Sequence, residues 1–369
     1  MGTSDGNVVG MTKVVDHGDP AQRWNLVILS EGYQSAQIDQ FHGDVQSFIS
    51  TMYRTPPYDE MWCGINIYRI DVTSTDSGAA DPVACGGTGY APHTYFDASF
   101  CGDGVIQRLL TVNDGTVHTV VNAQMPQALM ILVIVNSTEY GGSGGSVATF
   151  SLAGGANEIA LHEMGHTAFG FADEYCYYQG CGIDKDRDHY AGSEPGQPNI
   201  TTDTNRATIK WSNLIAASTA MPTMANPDCT QCNNGANPVS GDTVGAFEGA
   251  GYYHCGIYRG QYACRMRALN NPYCAVCQQV IRNTLAPFMP SWVYGTNTIN
   301  AGQTQNWWLW WPAYPGFESI GIQLVTPGNE LRIDDPGVQQ NGDGSTTYFL
   351  SVINPGANDV EFHFRGSAL

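Results

Sequence analysis

The hydrophobic positions of this 369-residue chain follow two periods, and the period changes along its length. Trp24 to Ser30 is a nearly continuous apolar run, which predicts a buried strand, and Glu31-Gly32-Tyr33 follows it as a turn. Between Ala36 and Met52 the apolar residues Ile38, Phe41, Val45, Phe48, Ile49 and Met52 fall at the spacing of one helical face. Ile65 to Val72 alternates and predicts a second strand, Gly104 to Val112 predicts a helix, and Leu129 to Val135 predicts a strand buried on both faces. That order implies an α/β layer on a largely parallel sheet. After a flexible loop at Gly141 to Gly145, Ser146 to Leu152 reads as a short strand and Asn157 to Phe169 as a helix. Residues 175–271 are dominated by loops, and Ala275 to Leu285 predicts a closing helix.

Beyond Pro287 and Pro290 the pattern turns to strands at Gln305 to Trp311, Ile320 to Thr326, Thr346 to Asn354 and Asp359 to Arg365. This all-β part of about 80 residues has the turn spacing of a sandwich or jelly roll. The expected organisation is a tail at 1–20, an α/β part at 21–150, a helix with a Cys-rich part at 151–288, and a β-sandwich at 289–369. The fold class is α/β (α+β) with a mixed sheet, plus a C-terminal all-β domain.

Charge narrows the partners. Lys and Arg total 15 against 34 Asp and Glu, a formal net charge of −19, and the three lysines (Lys13, Lys185, Lys210) form no basic run. Nucleic acid and anionic membrane surfaces are poor partners, since both require a positive face, and no nucleic-acid partner is expected. The longest apolar stretch, Ala128 to Val135, is far below the roughly 18 residues of a membrane span. The 11 cysteines suit an extracellular protein stapled by disulfides, with Cys85 and Cys101 closing one loop. Because 11 is odd, at least one thiol stays free or pairs between chains, and self-association is an expected possibility.

The chemistry is concentrated in His162-Glu163-Met164-Gly165-His166. Two histidines four apart on a helix share a face and can bind one metal, and imidazole suits zinc. Glu163 lies beside that face, where it can accept the proton of zinc-bound water and return it to the leaving amine. With nine His and 11 Glu in the chain, chance supplies about 0.006 such matches. Two histidines satisfied within a core are the bland alternative. A third ligand is needed. Gly170 lets the chain turn so that Asp173, seven residues after His166, swings back; Glu174 is its rival, and Glu248 and His254 are more distant ones.

Ser30-Glu31-Gly32-Tyr33, Ser74-Thr75-Asp76-Ser77-Gly78, the stretch HEMGHTAFGFADEY from His162 to Tyr175, and Gly245 to Cys277 with EGAGYY, GIYRG, CRMR and CAVC together resemble the IgA-peptidase family of zinc metallopeptidases. The resemblance spans residues 20 to 285. It implies a metzincin-like zincin catalytic domain with one catalytic zinc, acting as an endopeptidase on protein or peptide substrates. His162 and His166 would be ligands, Glu163 the general base, Asp173 the third ligand, and Met266 a methionine turn beneath the metal.

Read from residues alone, Met266 is core filler between two arginines. Among Tyr252, Tyr253 and Tyr258, Tyr258 is the candidate to steady an oxyanion, against plain aromatic packing. Ser146 to Phe150 is a candidate exposed edge strand for backbone recognition of a substrate. Cys229-x-x-Cys232 and Cys274-x-x-Cys277 have structural-zinc spacing, but beside Cys176, Cys181, Cys255 and Cys264 disulfides are the better reading. Asp184, Asp186 and Asp188 are spaced like the start of a calcium loop, without its Gly at position six or Glu at twelve, where Pro195 stands. Trp307, Trp308, Trp310 and Trp311 alternate between a core face and a second face. The expected function is a secreted zinc endopeptidase. The alternatives are an extracellular structural or self-assembling surface protein that keeps the scaffold, and a zinc amidase acting on cell-wall peptides.

Overall fold

A computed structural model describes residues 2–181, 184, 187–233, 235–289, 291–311, 319–325, 329–343 and 345–367. The chain is mixed α/β and divides into two units, one of residues 1–60 and 65–287 and the other of 61–64 and 288–369. No helix among the described residues is long and apolar enough to cross a membrane.

The first unit is built on β1 (Gly6–Val15), β2 (Trp24–Glu31), β3 (Ile65–Ser74), β4 (Met130–Val135), β5 (Gly142–Ser143) and β6 (Ala148–Ser151), in the sheet order β1-β3-β2-β4-β6-β5. The four central strands are parallel, and β1 and β5 pair antiparallel at the two edges. Every residue of β2 and β4 is buried, which is why both read as continuous apolar runs rather than alternating ones. Helices α1 (Ile38–Tyr53) and α3 (Ala156–Phe169) contact each other and the sheet strands β3, β4 and β6. α1 buries Phe41, Val45, Phe48, Ile49 and Met52, the stripe its periodicity predicts. Helix α2 (Asp114–Gln124) packs Val117, Val120 and Val121 with Val27, Leu29, Val133 and Val135, and the Asn113 side chain caps it from Thr116 N.

Three expectations fail here. Residues 6–15 are not tail but strand β1, a half-exposed edge whose weak burial contrast leaves little period-2 signal. Gly104 to Val112 is not a helix: Leu110 enters the core cluster under α2, while Leu109 bridges Gly142 and Thr111 bridges Ser99. Tertiary pairing overrides its helix-like local spacing. The strand near Ser146 is not a free edge either. β5 covers β6, and the other side of β5 is engaged by Arg108 O and Leu110 N.

The rest of this unit carries β7 (Ile200–Thr201), β8 (Phe247–Ala250), β9 (Tyr253–Arg259) and α4 (Ala275–Leu285). The first three form one small antiparallel sheet. Disulfides Cys181–Cys232 and Cys229–Cys255 tie this region, and Cys85–Cys101 staples the loop beside β3. Thus Cys229 and Cys232 are oxidised, each to a different partner, whereas Cys274 and Cys277 are not disulfide-bonded.

Among the described residues, the second unit has two three-stranded antiparallel sheets. One is β10 (Ser291–Ile299), β15 (Val360–Ser367) and β12 (Ser319–Leu324); the other is β11 (Thr304–Trp311), β14 (Thr346–Ile353) and β13 (Arg332–Gln340). Residues of both sheets share one core, including Ile299, Leu309, Leu350, Val352, Phe362 and Phe364. Trp307 packs on Phe362 and Phe364, while Trp308 on the opposite face of β11 is 68% exposed.

Candidate metal centre

Helix α3 presents His162 and His166 one turn apart, and their Nε2 atoms lie 3.1 Å from each other. The helix stops at Gly170, whose φ of +65° is left-handed and suits a residue without a Cβ. Its N–H and that of Phe171 donate back to His166 O and Gly165 O, so the chain reverses tightly. That reversal has two results. Phe171 O comes 2.7 Å from His166 Nδ1, and Asp173 Oδ1 reaches 3.0 Å from His162 Nε2 and 3.3 Å from His166 Nε2.

Three donor atoms therefore converge. A tetrahedral ion with bonds of about 2.0–2.1 Å to nitrogen and oxygen spaces its ligands by about 3.3 Å, close to the separations seen here. The second ring nitrogens also fit. His162 Nδ1 meets Arg265 O at 3.1 Å and His166 Nδ1 meets Phe171 O, so with Nδ1–H donated outward to a carbonyl each ring would keep an Nε2 lone pair for an ion; with no ion, protonated Nε2 atoms bond Asp173 instead. Burial alone would raise the Asp173 carboxyl, but hydrogen bonds and charge from His162 and His166 hold it well below the usual range. Burial opposes protonation of His166, yet its bond to Asp173 and the nearby carboxylates push it up to about 9. Burial likewise pushes Glu163 above the usual carboxylate range, against the pull of the two histidines.

Glu163 lines a cleft of about 610 Å³ together with His162, His166, Asp173, Arg108 and the backbone of Gly142 to Gly145. Met266 lies fully buried under the helix, its thioether against Gly165; a Cβ at 165 would stand 2.7 Å from Met266 Sδ. Two successive carbonyls complete the frame, because Arg265 O receives His162 and Met266 O receives the Glu174 N–H at 2.7 Å.

Several candidates fall elsewhere. Tyr258 is not at this centre; its hydroxyl lies 3.3 Å from Glu248. Tyr252 does reach the centre: its hydroxyl donates to Asp173 Oδ2, and its ring sits against Tyr178 and against Tyr175, which lines the same cleft. Glu174 points away from the histidines, toward Cys264, Cys274 and Cys277. Glu248 holds Asn226 N and Gly256 N, and His254 Nδ1 meets Cys229 O. Asp184 spends its carboxylate on the N–H groups of Tyr178, Gln179 and Gly180, and Asp188 faces His254 at 3.4 Å. Calcium draws no support from these two, and Asp186 lies outside the described residues.

One positioning residue has no local sequence signal. Asn199 clamps the returning segment through Ala172 N, Ala172 O and Glu174 Oε1. Glu31, fully buried, accepts Phe96 N at 3.0 Å and Ala98 N at 2.9 Å, while Gly32 O accepts the N–H of Gly78 at 3.0 Å. The Ser30–Tyr33 and Ser74–Gly78 motifs thus pack on each other as one scaffold.

The family model described as IgA Peptidase M64 matches residues 12–237 and 234–285. The chain belongs to this family. Its members are metallopeptidases, and the His162–His166–Asp173 cluster is one of the metal-competent groups in this member. Among curated proteins no relative matches the chain. As an IgA Peptidase M64 protein it is a peptidase acting on protein substrates, and the matched residues contain every part of the centre described above.

Proposed function

We propose that the protein is a secreted zinc endopeptidase, with a zincin-like catalytic domain and a C-terminal β-sandwich. The observation that carries the reading is the convergence of His162 Nε2, His166 Nε2 and Asp173 Oδ1, each within 3.3 Å of the others. Three protein ligands with one open position is the pattern of a catalytic rather than a structural zinc site. A zinc ion there supplies Lewis-acid chemistry, polarising a carbonyl and acidifying water.

The protein groups divide the remaining work. Glu163, poised above the usual carboxylate range, takes a proton from the attacking water and returns it to the leaving amine. Tyr252 fixes the Asp173 carboxylate, and the backbone carbonyls of Arg265 and Phe171 fix the two rings. Arg108, at the cleft wall, offers a positive charge for a substrate carbonyl or carboxylate. Three disulfides support an oxidising compartment.

The test compares wild type with Glu163→Gln on denatured protein substrates, with zinc measured in both. The expected result is zinc at the histidines in both proteins and internal cleavage by wild type alone, with a loss of about 10²–10⁴-fold or more in the variant. Trimming from chain ends only, or equal cleavage by both proteins, would overturn it.

A further inference from the structure

Below the peptidase centre lies a second cluster that the proposed reaction does not use. Cys264, Cys274, Cys277 and Glu174 are all buried, and their ligand atoms lie within 4.8 Å of one another. Cys274 caps α4 and Cys277 sits in its first turn, so both sulfurs project from the helix N-terminus toward Cys264. Cys264 Sγ and Cys277 Sγ are 3.7 Å apart, and Glu174 Oε1 lies 3.5 Å from Cys277 Sγ and 3.9 Å from Cys274 Sγ. A tetrahedral zinc with bonds of about 2.3 Å to sulfur and about 2.1 Å to oxygen sets sulfurs about 3.8 Å apart and oxygen about 3.6 Å from sulfur.

Two further observations point to a ligand. Glu174 Oε2 is buried without a hydrogen-bond partner, a costly state for a carboxylate. The N–H groups of Cys274 and Cys277 are aimed at Cys264 Sγ (3.3 Å) and Cys274 Sγ (3.5 Å), as donors to thiolate sulfur. A disulfide accounts for less. Three sulfurs cannot all pair, and a disulfide leaves the buried Glu174 carboxylate without a cation beside it.

We propose that Cys264, Cys274, Cys277 and Glu174 hold a second, structural zinc ion. The four protein ligands close the coordination shell, so this ion has no open position for substrate. Its place in the chain gives it a task. Glu174 follows Asp173 directly, and Cys264 is followed by Arg265 and Met266, which receive His162 and the Glu174 N–H. The ion ties these two segments together from below. The inference rests on this cluster alone and stands whether or not the upper centre is catalytic.

The experiment uses the full chain, purified without chelator and then exchanged with cobalt. Wild type should show the near-ultraviolet sulfur-to-cobalt charge-transfer absorption that only thiolate ligation gives. The double variant H162A/H166A should keep that absorption while losing one of two bound metals. Cys274→Ser should lose it, and Glu174→Gln should weaken it. In case Cys274→Ser fails to fold, wild type alone decides by alkylation and peptide mapping. Cys264, Cys274 and Cys277 should become reactive only after chelation. A disulfide among the three, or cobalt binding without sulfur absorption, would overturn the proposal.

Discussion

Met266 separates packing from ligation at the peptidase centre, and its truncation can be worked out from its surroundings. The side chain is fully buried, with its thioether against Gly165 and beside Phe171. Met266→Ala removes three heavy atoms, and the cost then depends on whether the walls can close. Here both walls are held. One is the backbone of α3, fixed by its own hydrogen bonds. The other is the 264–266 segment, pinned by His162 Nδ1 on Arg265 O and by the Glu174 N–H on Met266 O. A cavity that cannot collapse belongs in the upper half of the 2–5 kcal/mol range for such truncations, about 4 kcal/mol.

The assay is urea unfolding, with and without added zinc. Met266→Ala should move the midpoint strongly at unchanged slope, since the surface exposed on unfolding is nearly the same. Met266→Leu, which conserves volume, should cost less than about 1.5 kcal/mol and leave zinc binding unaltered. A loss below about 1 kcal/mol for the Ala variant would refute the rigid-wall argument. Equal damage from Leu and Ala would refute packing and give the sulfur a specific role.

Tyr252→Phe keeps the ring between Tyr175 and Tyr178 but frees Asp173 Oδ2, so zinc affinity in a chelator competition should fall about 10–100-fold. Tyr258→Phe, whose hydroxyl meets Glu248 instead, should leave that affinity unchanged. Breaking Cys85–Cys101 with a double serine variant opens a closure of 16 residues and should cost about 3 kcal/mol by thermal unfolding. Burial opposes ionisation of Glu194, but Thr201, Thr202 and Lys210 hold its carboxyl down to about 2. Its contribution is therefore full above the unfolded value and is lost as pH falls through about 2. Because the group is partly exposed, Glu194→Gln should cost only about 1 kcal/mol at pH 7, and the gap to wild type should close in acid-titrated unfolding curves.

Much of the centre is legible in local sequence because it is built from local geometry. The four-residue spacing of the histidines, the Gly after the helix and the Asp three residues later are consequences of helical pitch and a left-handed cap. What escaped depends on contacts distant in sequence. Tyr252 and Tyr258 lie on the same hairpin, and only the turn at Gly251 and Tyr252, both with positive φ, sends one to Asp173 and the other to Glu248. The two CxxC pairs have identical spacing, yet one is oxidised and the other faces Cys264 and, a hundred residues away, Glu174. Val105, Ile106, Leu109 and Leu110 imitate a helical stripe until Leu110 is drawn into the sheet-side core.

The segment from Gly170 to Cys277 raises a physical question of its own, since it holds the third donor and yet has little regular structure. Between α3 and α4 the described residues form only three short strands, and the buried apolar side chains, among them Ile200, Ile209, Trp211, Phe247 and Ile257, come from loops as much as from strands. Ordering each residue of this segment opposes folding by roughly 1–2 kcal/mol of backbone entropy. Besides that burial, the order comes from constraints that act at points. Two disulfides shorten the loops, Asn199 clamps residues 172 to 174, and the Cys–Glu cluster fastens Glu174 to α4. Each of these acts within a few residues of Asp173 or of the strands that carry Tyr252. A helix can display two histidines by itself, but a third ligand arriving by a loop is only as well placed as the anchors on that loop. In this chain those anchors stand directly behind Asp173, the residue proposed for that place.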